Sequence, residues 1–207
     1  ASTSGHRGNF GLSGSGADTR VDIELKPGSP DAELLVSEFM ILANSALACW
    51  AREQGVPLLH RSQNIALPPS ATGVFSDPAD IARVVKLLAP PILDCQPKRH
   101  AALACDAYAT LTSPIRRYID LLNMAQVESY LATGAPRLDL SALEALVPHL
   151  SARNQEVGQV QRFRPRYWKL LYLLQHRKEP FQAVVVEDGG PYPTLSRPDL
   201  QITVRVP

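Results

Sequence analysis

The chain has 207 residues, of which 45% are hydrophobic and 20% are charged, and this composition predicts a folded domain with an apolar core rather than a disordered chain. The 21 basic and 20 acidic residues give a formal net charge of +1, so any nucleic-acid site must come from local clustering of cations and not from bulk charge. The three irregularly spaced cysteines argue against a disulfide framework and favour a reducing compartment.

The N-terminal part of the chain predicts an irregular segment followed by a short strand. Residues 1–19 are rich in Gly and Ser and show no periodicity, which is typical of a loop or a flexible or truncated end. The first residues lack the pattern of a signal peptide. Residues 20–25 alternate apolar and polar side chains and therefore predict a strand.

A long helix is predicted to begin near Asp31 and to end at Gly55. Its body, residues 34–50, is apolar on nearly every side, so we expect the helix to be buried on most of its faces. The longest apolar stretch, residues 39–51, is shorter than the ~20 residues that a spanning helix needs. The sequence therefore predicts a core helix and no membrane partner.

Two more helix starts carry capping signals. Asp77-Pro-Ala-Asp80 places a cap and a Pro at the first helical position before apolar residues with helical spacing. These apolar residues are Ile81, Val84, Val85 and Leu88. Ser113 and Pro114 form the second start, with Ser113 as the cap, and Gly134 is in the position that ends such a helix. Both patterns predict the start of a helix, and the second helix is expected to run to about Thr133.

The C-terminal third changes from helical to strand patterns. Residues 141–144 form a capping box, and we expect Pro148 to split or restart the helix that begins there. A further helix is predicted through Trp168. Beyond it, residues 181–187 and 200–206 have strand patterns separated by a loop.

These patterns divide the chain into three parts. Residues 1–19 are the N-terminal segment, residues 20–179 form a mostly helical domain, and residues 180–207 form a small β domain. The predicted fold class is α+β.

The start of the predicted helix at Ser113 carries the strongest chemical signal. Arg116 and Arg117 would lie in its first turn, where cations meet the positive end of the helix dipole at a cost of about 0.3–1 kcal/mol each. Free backbone N–H groups, a Ser hydroxyl and two guanidinium groups suit a phosphate, so we hypothesise a phosphodiester site. The alternative is that the arginines pair with nearby carboxylates such as Asp120.

A second basic region spans residues 153–178. Seven Lys and Arg residues stand there against Glu156 alone, and four aromatic residues, Phe163, Tyr167, Trp168 and Tyr172, are interleaved with them. Cations beside aromatic faces bind single-stranded nucleic acid by charge and stacking. The alternative is an amphipathic helix whose aromatics are in the core and whose cations are solvated.

Three blocks, taken together and in this order, resemble the ribonuclease II (RNB) family. The most diagnostic one runs from Tyr108-Ala-Thr through Thr112-Ser-Pro-Ile-Arg-Arg-Tyr-Ile-Asp120. The other two are Glu38-Phe-Met-Ile-Leu-Ala-Asn44 and Pro57-Leu-Leu-His-Arg61. The resemblance covers residues 31–131 and implies the C-terminal half of an RNB-type catalytic domain, followed by strands of an S1/OB-like barrel.

The resemblance implies a cytoplasmic, monomeric 3′→5′ exoribonuclease that degrades single-stranded RNA to nucleoside 5′-monophosphates with Mg²⁺. It makes Arg116 the catalytic residue that stabilises charge on the attacked phosphate. The substrate-binding residues that it implies are Tyr108, Ser113, Arg117, Glu38 and Asn44. Glu38 would line the pocket near the terminal ribose, or it is buried and satisfied by an Arg or by backbone.

The sequence departs from the family pattern in its acidic residues. The family holds its metal with a short aspartate-rich run upstream of the matched blocks, and this chain has no such run, so the Mg²⁺ ligands are expected outside this chain. Where the family has a Glu on the late helix, this chain has Gln161-Arg162, and Glu156 replaces it only if the helix contains an insertion. The alternative function is a non-catalytic RNA-binding member of the family.

Overall fold

The computed structural model describes residues 6–13, 19–27, 29–63, 65–66, 68–73, 75 and 77–205. Within these described residues, four α-helices and seven strands follow one another. Their order is β1 (His6–Ser13), β2 (Arg20–Pro27), α1 (Pro30–Gln54), β3 (His60–Ser62), α2 (Pro78–Leu87), β4 (Ile92–Asp94), α3 (Tyr118–Thr133), α4 (Leu140–Gln175), β5 (Val184–Glu187), β6 (Thr194–Arg197) and β7 (Ile202–Arg205). The predicted mixture of helices followed by strands is confirmed.

The contacts divide the chain into two compact units. Unit 1 comprises Ala1–Glu33, Gly73–Lys86 and Val157–Pro207, and unit 2 comprises Leu34–Thr72 and Leu87–Glu156. This division groups segments that are distant in sequence, and the domain limits at residues 19 and 179 stay predictions.

Unit 2 has two apolar clusters that fix the positions of its helices. The first consists of Ala48, Ala51, Val56, Leu58, Ala107, Ala109 and Val127. The second consists of Leu59, Cys95, Leu143 and Leu150. The small alanines let the irregular segment around residues 107–109 approach α1 and α3 closely. The segment that carries the arginine motif is therefore attached to a packed core.

Helix α1 begins at Pro30 with Asp31 and Glu33 in its first turn, and Gly55 ends it with a φ of 69°, which only Gly adopts freely. The expectation that it is buried on most faces is wrong for its first half. The exposed apolar residues there are Leu34, Leu35, Val36, Phe39 and Leu42. The cause is that the apolar cluster of unit 2 contacts α1 only from Leu47 onward.

The length and apolar composition of α1 would also allow it to cross a membrane. In the folded chain, however, Ala48 and Ala51 are fully buried in the core and Asn44 is hydrogen-bonded to a neighbouring segment. These contacts place the second half of α1 in the core of unit 2. The absence of a membrane partner stays a prediction.

Helix α2 confirms the predicted cap. Asp77 accepts the backbone N–H of Ala79 through its carboxylate at 2.9 Å, and its carbonyl accepts the N–H of Ile81 at 3.0 Å. Pro78 is the first helical residue, where its missing N–H costs nothing.

Helix α4 is continuous from Leu140 to Gln175, so the predicted break at Pro148 is wrong. A single Pro removes one hydrogen bond of the helix, and buried Leu143 and Leu150 hold the flanking turns in place. The cap is Asp139 and not Ser141, since the Asp139 carboxylate accepts the N–H of Ala142 at 2.8 Å.

Unit 1 contains a β-hairpin and a three-stranded sheet. The predicted irregular segment over residues 1–19 is wrong for His6–Ser13, because β1 pairs with β2 in an antiparallel register over eight residues. Pairing with the neighbouring strand β2 overrides the low strand propensity of a Gly-rich sequence. The C-terminal strands form an antiparallel sheet in the order β5-β6-β7, and its assignment to an S1/OB barrel stays a prediction.

Candidate phosphate-binding site

The motif segment (Tyr108–Arg117) enters α3 through a turn and not as a helix. The backbone N–H groups of Arg116 and Arg117 both donate to the Ser113 carbonyl, at 3.2 and 3.0 Å, and α3 begins only at Tyr118. The predicted start at Ser113 is therefore wrong, and Arg117 occupies the cap position with φ −126° and ψ 113°. The cause is Asp120, whose carboxylate accepts the Ser113 N–H at 2.8 Å and so draws the turn onto the start of α3.

Arg117 and Asp120 form an ion pair at the start of α3. Arg117 Nη2 lies 2.7 Å from Asp120 Oδ2, and the Asp120 side chain is fully buried. Arg117 Nη2 also approaches Thr112 Oγ1 at 3.4 Å. For Arg117, the alternative of pairing with a nearby carboxylate is thus correct. Two buried polar atoms of this pair, Arg117 Nε and Asp120 Oδ1, make no hydrogen bond within the described part of the chain.

Arg116 differs from its neighbour. Its side chain is exposed, and its guanidinium lies 3.4 Å from Ser113 Oγ. Among the contacts of the described residues, no carboxylate pairs with it. Because Arg116 stands in the turn and not in α3, the helix-dipole argument applies to it less strongly than the sequence suggests. Its guanidinium is nevertheless open to an anion from solvent.

Asn44 joins α1 to the motif segment. It is buried, its Oδ1 accepts the N–H of Leu111 at 2.9 Å, and its Nδ2 donates to the Tyr108 hydroxyl at 3.1 Å and to Thr112 Oγ1 at 3.4 Å. The ring of Tyr108 packs edge-on against His100, with centroids 5.5 Å apart. Asn44 therefore fixes the positions of the hydroxyl groups beside Arg117, and its direct contact with substrate stays a prediction.

Glu38 is not brought to this cluster. It is exposed on the first half of α1 and lies six positions before Asn44, which is about 9 Å along the helix and on a different face. The alternative of a buried, satisfied Glu38 is wrong because the side chain is exposed. Its place near a terminal ribose stays a prediction.

The structure adds Arg61, which the sequence did not single out as a site residue. It lies on β3, and its backbone N–H donates to the Tyr108 carbonyl at 2.8 Å. Burial lowers the pKa of the Arg61 guanidinium, the neighbouring charge of Arg117 lowers it further, and Tyr108 and Asp120 act in the opposite direction. The signal in the sequence was its position at the end of the Pro57–Arg61 block.

Two buried amides of α3 were also missed. Asn123 accepts the N–H of Leu59 at 2.8 Å and donates to the carbonyls of Leu59 and Thr110 at 3.0 and 3.1 Å. Gln126 donates to the carbonyl of Pro57 and bonds both backbone groups of Leu138. These side chains satisfy backbone groups that have no sheet partner, and Asn123 thereby holds β3 beside the motif segment.

The polar side chains of this site differ from those that hold a divalent metal. No three His, Cys, Asp or Glu side chains come together within the described residues, and the carboxylate of Asp120 is occupied by Arg117 and Ser113. Magnesium prefers several carboxylate and water oxygens in an octahedron. These residues do not fit such an ion.

The four aromatic residues of the basic region lie in unit 1. Phe163 and Tyr167 are mostly exposed, so the alternative that all the aromatics are core residues is wrong for these two. Arg166 and Lys169 donate to the carbonyls of Thr203 and Gln201, both at 3.2 Å. These two cations thus attach the edge of β7 to α4.

Comparisons with known proteins agree with the motif. The model of the RNB domain matches residues 76–133. An uncharacterized ribonuclease of Synechocystis sp. is 32% identical over 84% of this chain and 27% of its own length. The mitochondrial exoribonuclease II of Saccharomyces cerevisiae is 28% identical over 68% of this chain and 16% of its own length. The chain thus spans about a quarter or less of these relatives.

Solved structures share the fold. The Dss1 exoribonuclease of Candida glabrata, crystallised as an active-site mutant, superposes with a TM-score of 0.73 at 25% identity, over 94% of this chain and 26% of the other. RNase R of Mycoplasma genitalium, in complex with ribose-methylated single-stranded RNA, gives a TM-score of 0.68 at 15% identity, over 95% of this chain and 37% of that one. The motif, the matched domain and the related sequences together place this chain in the ribonuclease II (RNB) family.

Proposed function

We propose that this chain is part of a 3′→5′ exoribonuclease that hydrolyses single-stranded RNA to nucleoside 5′-monophosphates. The observation that carries the proposal is the state of Arg116, an exposed guanidinium without a carboxylate partner among the described contacts. Its neighbour Arg117 is held by Asp120. An exposed guanidinium that is free of an internal counter-ion is suited to a phosphate whose negative charge increases during hydrolysis.

The roles of the surrounding residues follow from their contacts. Asn44 fixes the hydroxyl groups of Tyr108 and Thr112, and Asp120 fixes the turn that contains Ser113. We propose that Arg116 contacts the scissile phosphate and that Ser113, Tyr108 and Arg117 bind the adjoining part of the strand. Such preorganised donors lower the free energy of the transition state because they need no rearrangement during the reaction.

Magnesium belongs to this proposal as a cofactor with ligands outside these 207 residues. Binding of single-stranded RNA, a monomeric state and a cytoplasmic location are proposals of the same kind. The names of the yeast relative and of a relative from Arabidopsis thaliana include mitochondrial or chloroplast locations, which describe those proteins.

The test uses the longest gene product that carries this chain, with two forms of one unstructured RNA labelled at either end. With Mg²⁺, the 3′-labelled RNA should release labelled mononucleotide at once, while the 5′-labelled RNA should shorten stepwise. Early release of a 5′-terminal mononucleotide, or internal cuts, would contradict the proposed direction. Binding without hydrolysis would instead support the second candidate, a non-catalytic RNA-binding protein, which is favoured by the absence of a metal-ligating group within the described residues.

A further inference from the structure

Arg61 is a half-buried cation without an internal acceptor. Its side chain makes no hydrogen bond or ion pair among the described contacts, although it lies in a strand beside the core and not on an open surface. A guanidinium that is partly removed from water is stabilised by a carboxylate, carbonyl or ligand partner, because partial loss of hydration has a cost.

The backbone around Arg61 is rigidly placed. Asn123 bonds both backbone groups of Leu59 and the carbonyl of Thr110, and the N–H of Arg61 donates to the Tyr108 carbonyl. Strand β3 and the motif segment are therefore held side by side at two points. The hydrogen bond to Tyr108 fixes the backbone of Arg61 beside the segment that leads to Arg117.

The charges in this region do not balance. The pKa of Arg61 is lowered by burial and by the charge of Arg117, so the two guanidinium groups repel one another. The nearby carboxylate is that of Asp120, and its Oδ2 already accepts from Arg117 and Ser113. An incoming anion would compensate the excess positive charge and supply the acceptors that Arg61 and Arg117 Nε lack.

We infer that Arg61 is a second phosphate-binding residue, which together with Arg117 binds a phosphodiester group of the RNA strand other than the one contacted by Arg116. This inference rests on the proposed function, since it takes the ligand to be RNA. A free phosphate ion has the same chemistry, and the experiment separates the two sources.

The test is a double-mutant cycle that combines the substitution of Arg61 with the neutralisation of single phosphates in the RNA. A 5′-fluorescein RNA of about ten nucleotides binds the protein in EDTA, and anisotropy gives its Kd. A series of the same RNA carries one neutral methylphosphonate linkage at successive positions from the 3′ end. For the wild type, one linkage should cost about tenfold in Kd, and in Arg61→Met the same linkage should cost nothing further.

Salt dependence provides a second readout of the same contact. Loss of one phosphate contact to a single strand should reduce the magnitude of the negative slope of log K, the association constant, against log salt by about 0.7. Arg137→Met is the matched control, because Arg137 is exposed beyond the far end of α3, and it should leave both the slope and the methylphosphonate pattern unchanged. Arg61→Lys keeps the charge without the planar fork and should weaken the coupling at the same linkage.

Each outcome supports or contradicts the inference about Arg61 or the proposed function. Suppose that the wild type binds RNA and that the loss of affinity in Arg61→Met simply adds to the loss caused by each methylphosphonate linkage. In that case Arg61 acts only on the fold. The inference then fails while the proposed function stands. If Arg61→Met does not fold, Arg61→Lys with wild-type coupling at every linkage has the same meaning. If no linkage shows an effect that depends on Arg61, while 10 mM inorganic phosphate changes RNA binding by the wild type and not by Arg61→Met, the site takes free phosphate and the RNA assignment fails. If the wild type does not bind RNA, both proposals fall.

Discussion

Arg117 Nη2 and Asp120 Oδ2 lie 2.7 Å apart in a pair whose carboxylate is fully buried, and the same carboxylate fixes the turn at Ser113. Asp120→Asn should therefore lower the free energy of unfolding by about 2–4 kcal/mol, because it leaves a partly buried guanidinium without its counter-ion. Urea denaturation measures this. Glu156→Gln is the control, since it breaks an exposed pair with Arg153 at the same sequence spacing and should cost at most about 0.5 kcal/mol. Equal losses in the two variants would contradict the structural role of Asp120.

Asn123 connects two segments that no sheet joins. Asn123→Ala removes three hydrogen bonds to Leu59 and Thr110 and leaves buried backbone groups without partners, so it should destabilise the fold by about 2–4 kcal/mol. Urea denaturation also measures this change. Asn154→Ala, at an exposed position of α4, should change stability by less than about 0.5 kcal/mol. A similarly small effect for Asn123→Ala would show that its hydrogen bonds to Leu59 and Thr110 contribute little to stability.

His60 makes stability depend on pH. Burial lowers the pKa of its imidazole from 6.5 to about 4, with Asp94 opposing and Arg52 adding to the shift. The unfolded chain therefore binds a proton below about pH 6.5 that the folded chain does not, and stability must fall as the pH falls from that value to about 4. The contribution of His60 is about 3 kcal/mol at the lower end.

Urea denaturation at several pH values checks this, with His60→Phe and His149→Phe compared. His60→Phe should weaken the dependence of stability on pH. Part of the dependence should remain because burial and Arg61 also lower the pKa of His100. His149→Phe, at an exposed position of α4, should leave the pH dependence of stability unchanged. A dependence of the same size in His60→Phe would refute the assignment.

Cys95 should be the least reactive thiol. Burial, with smaller effects from Glu144 and Asp94, raises its pKa to about 11, and the thiolate is the reactive form. At about pH 8, iodoacetamide should modify the half-buried Cys49 and Cys105 before Cys95, as followed by peptide mass spectrometry. In urea all three should react at similar rates. Early modification of Cys95 in the folded protein would contradict its burial.

Signals whose partners lie within four residues were predictable from the sequence, and signals that depend on more distant partners were not. Asp77 caps α2 as expected because its partners lie within four residues. The cap at Ser113 failed because the buried carboxylate of Asp120 binds its N–H and moves the start of α3 to Tyr118. Strand β1 was missed because its pairing depends on β2 and not on its own composition.

The candidate site was predictable in part for the same reason. Tyr108, Ser113, Arg116 and Arg117 lie in one continuous motif and are near one another in the structure. Asn123 and Gln126 were missed because buried positions of a helix normally predict apolar residues, whereas here the buried face of α3 satisfies free backbone groups. Arg61 was missed because its neighbours come from a different segment of the chain.

The most direct test of the central claim is the kcat/KM of the Arg116→Ala variant on single-stranded RNA, in the longest gene product that carries this chain. Since Arg116 is exposed and only weakly bonded, its removal should leave the free energy of unfolding within about 0.5 kcal/mol of the wild type. We expect kcat/KM to fall by about 100-fold or more, while Arg137→Ala retains wild-type activity. Unchanged activity of a folded Arg116→Ala variant would contradict the account.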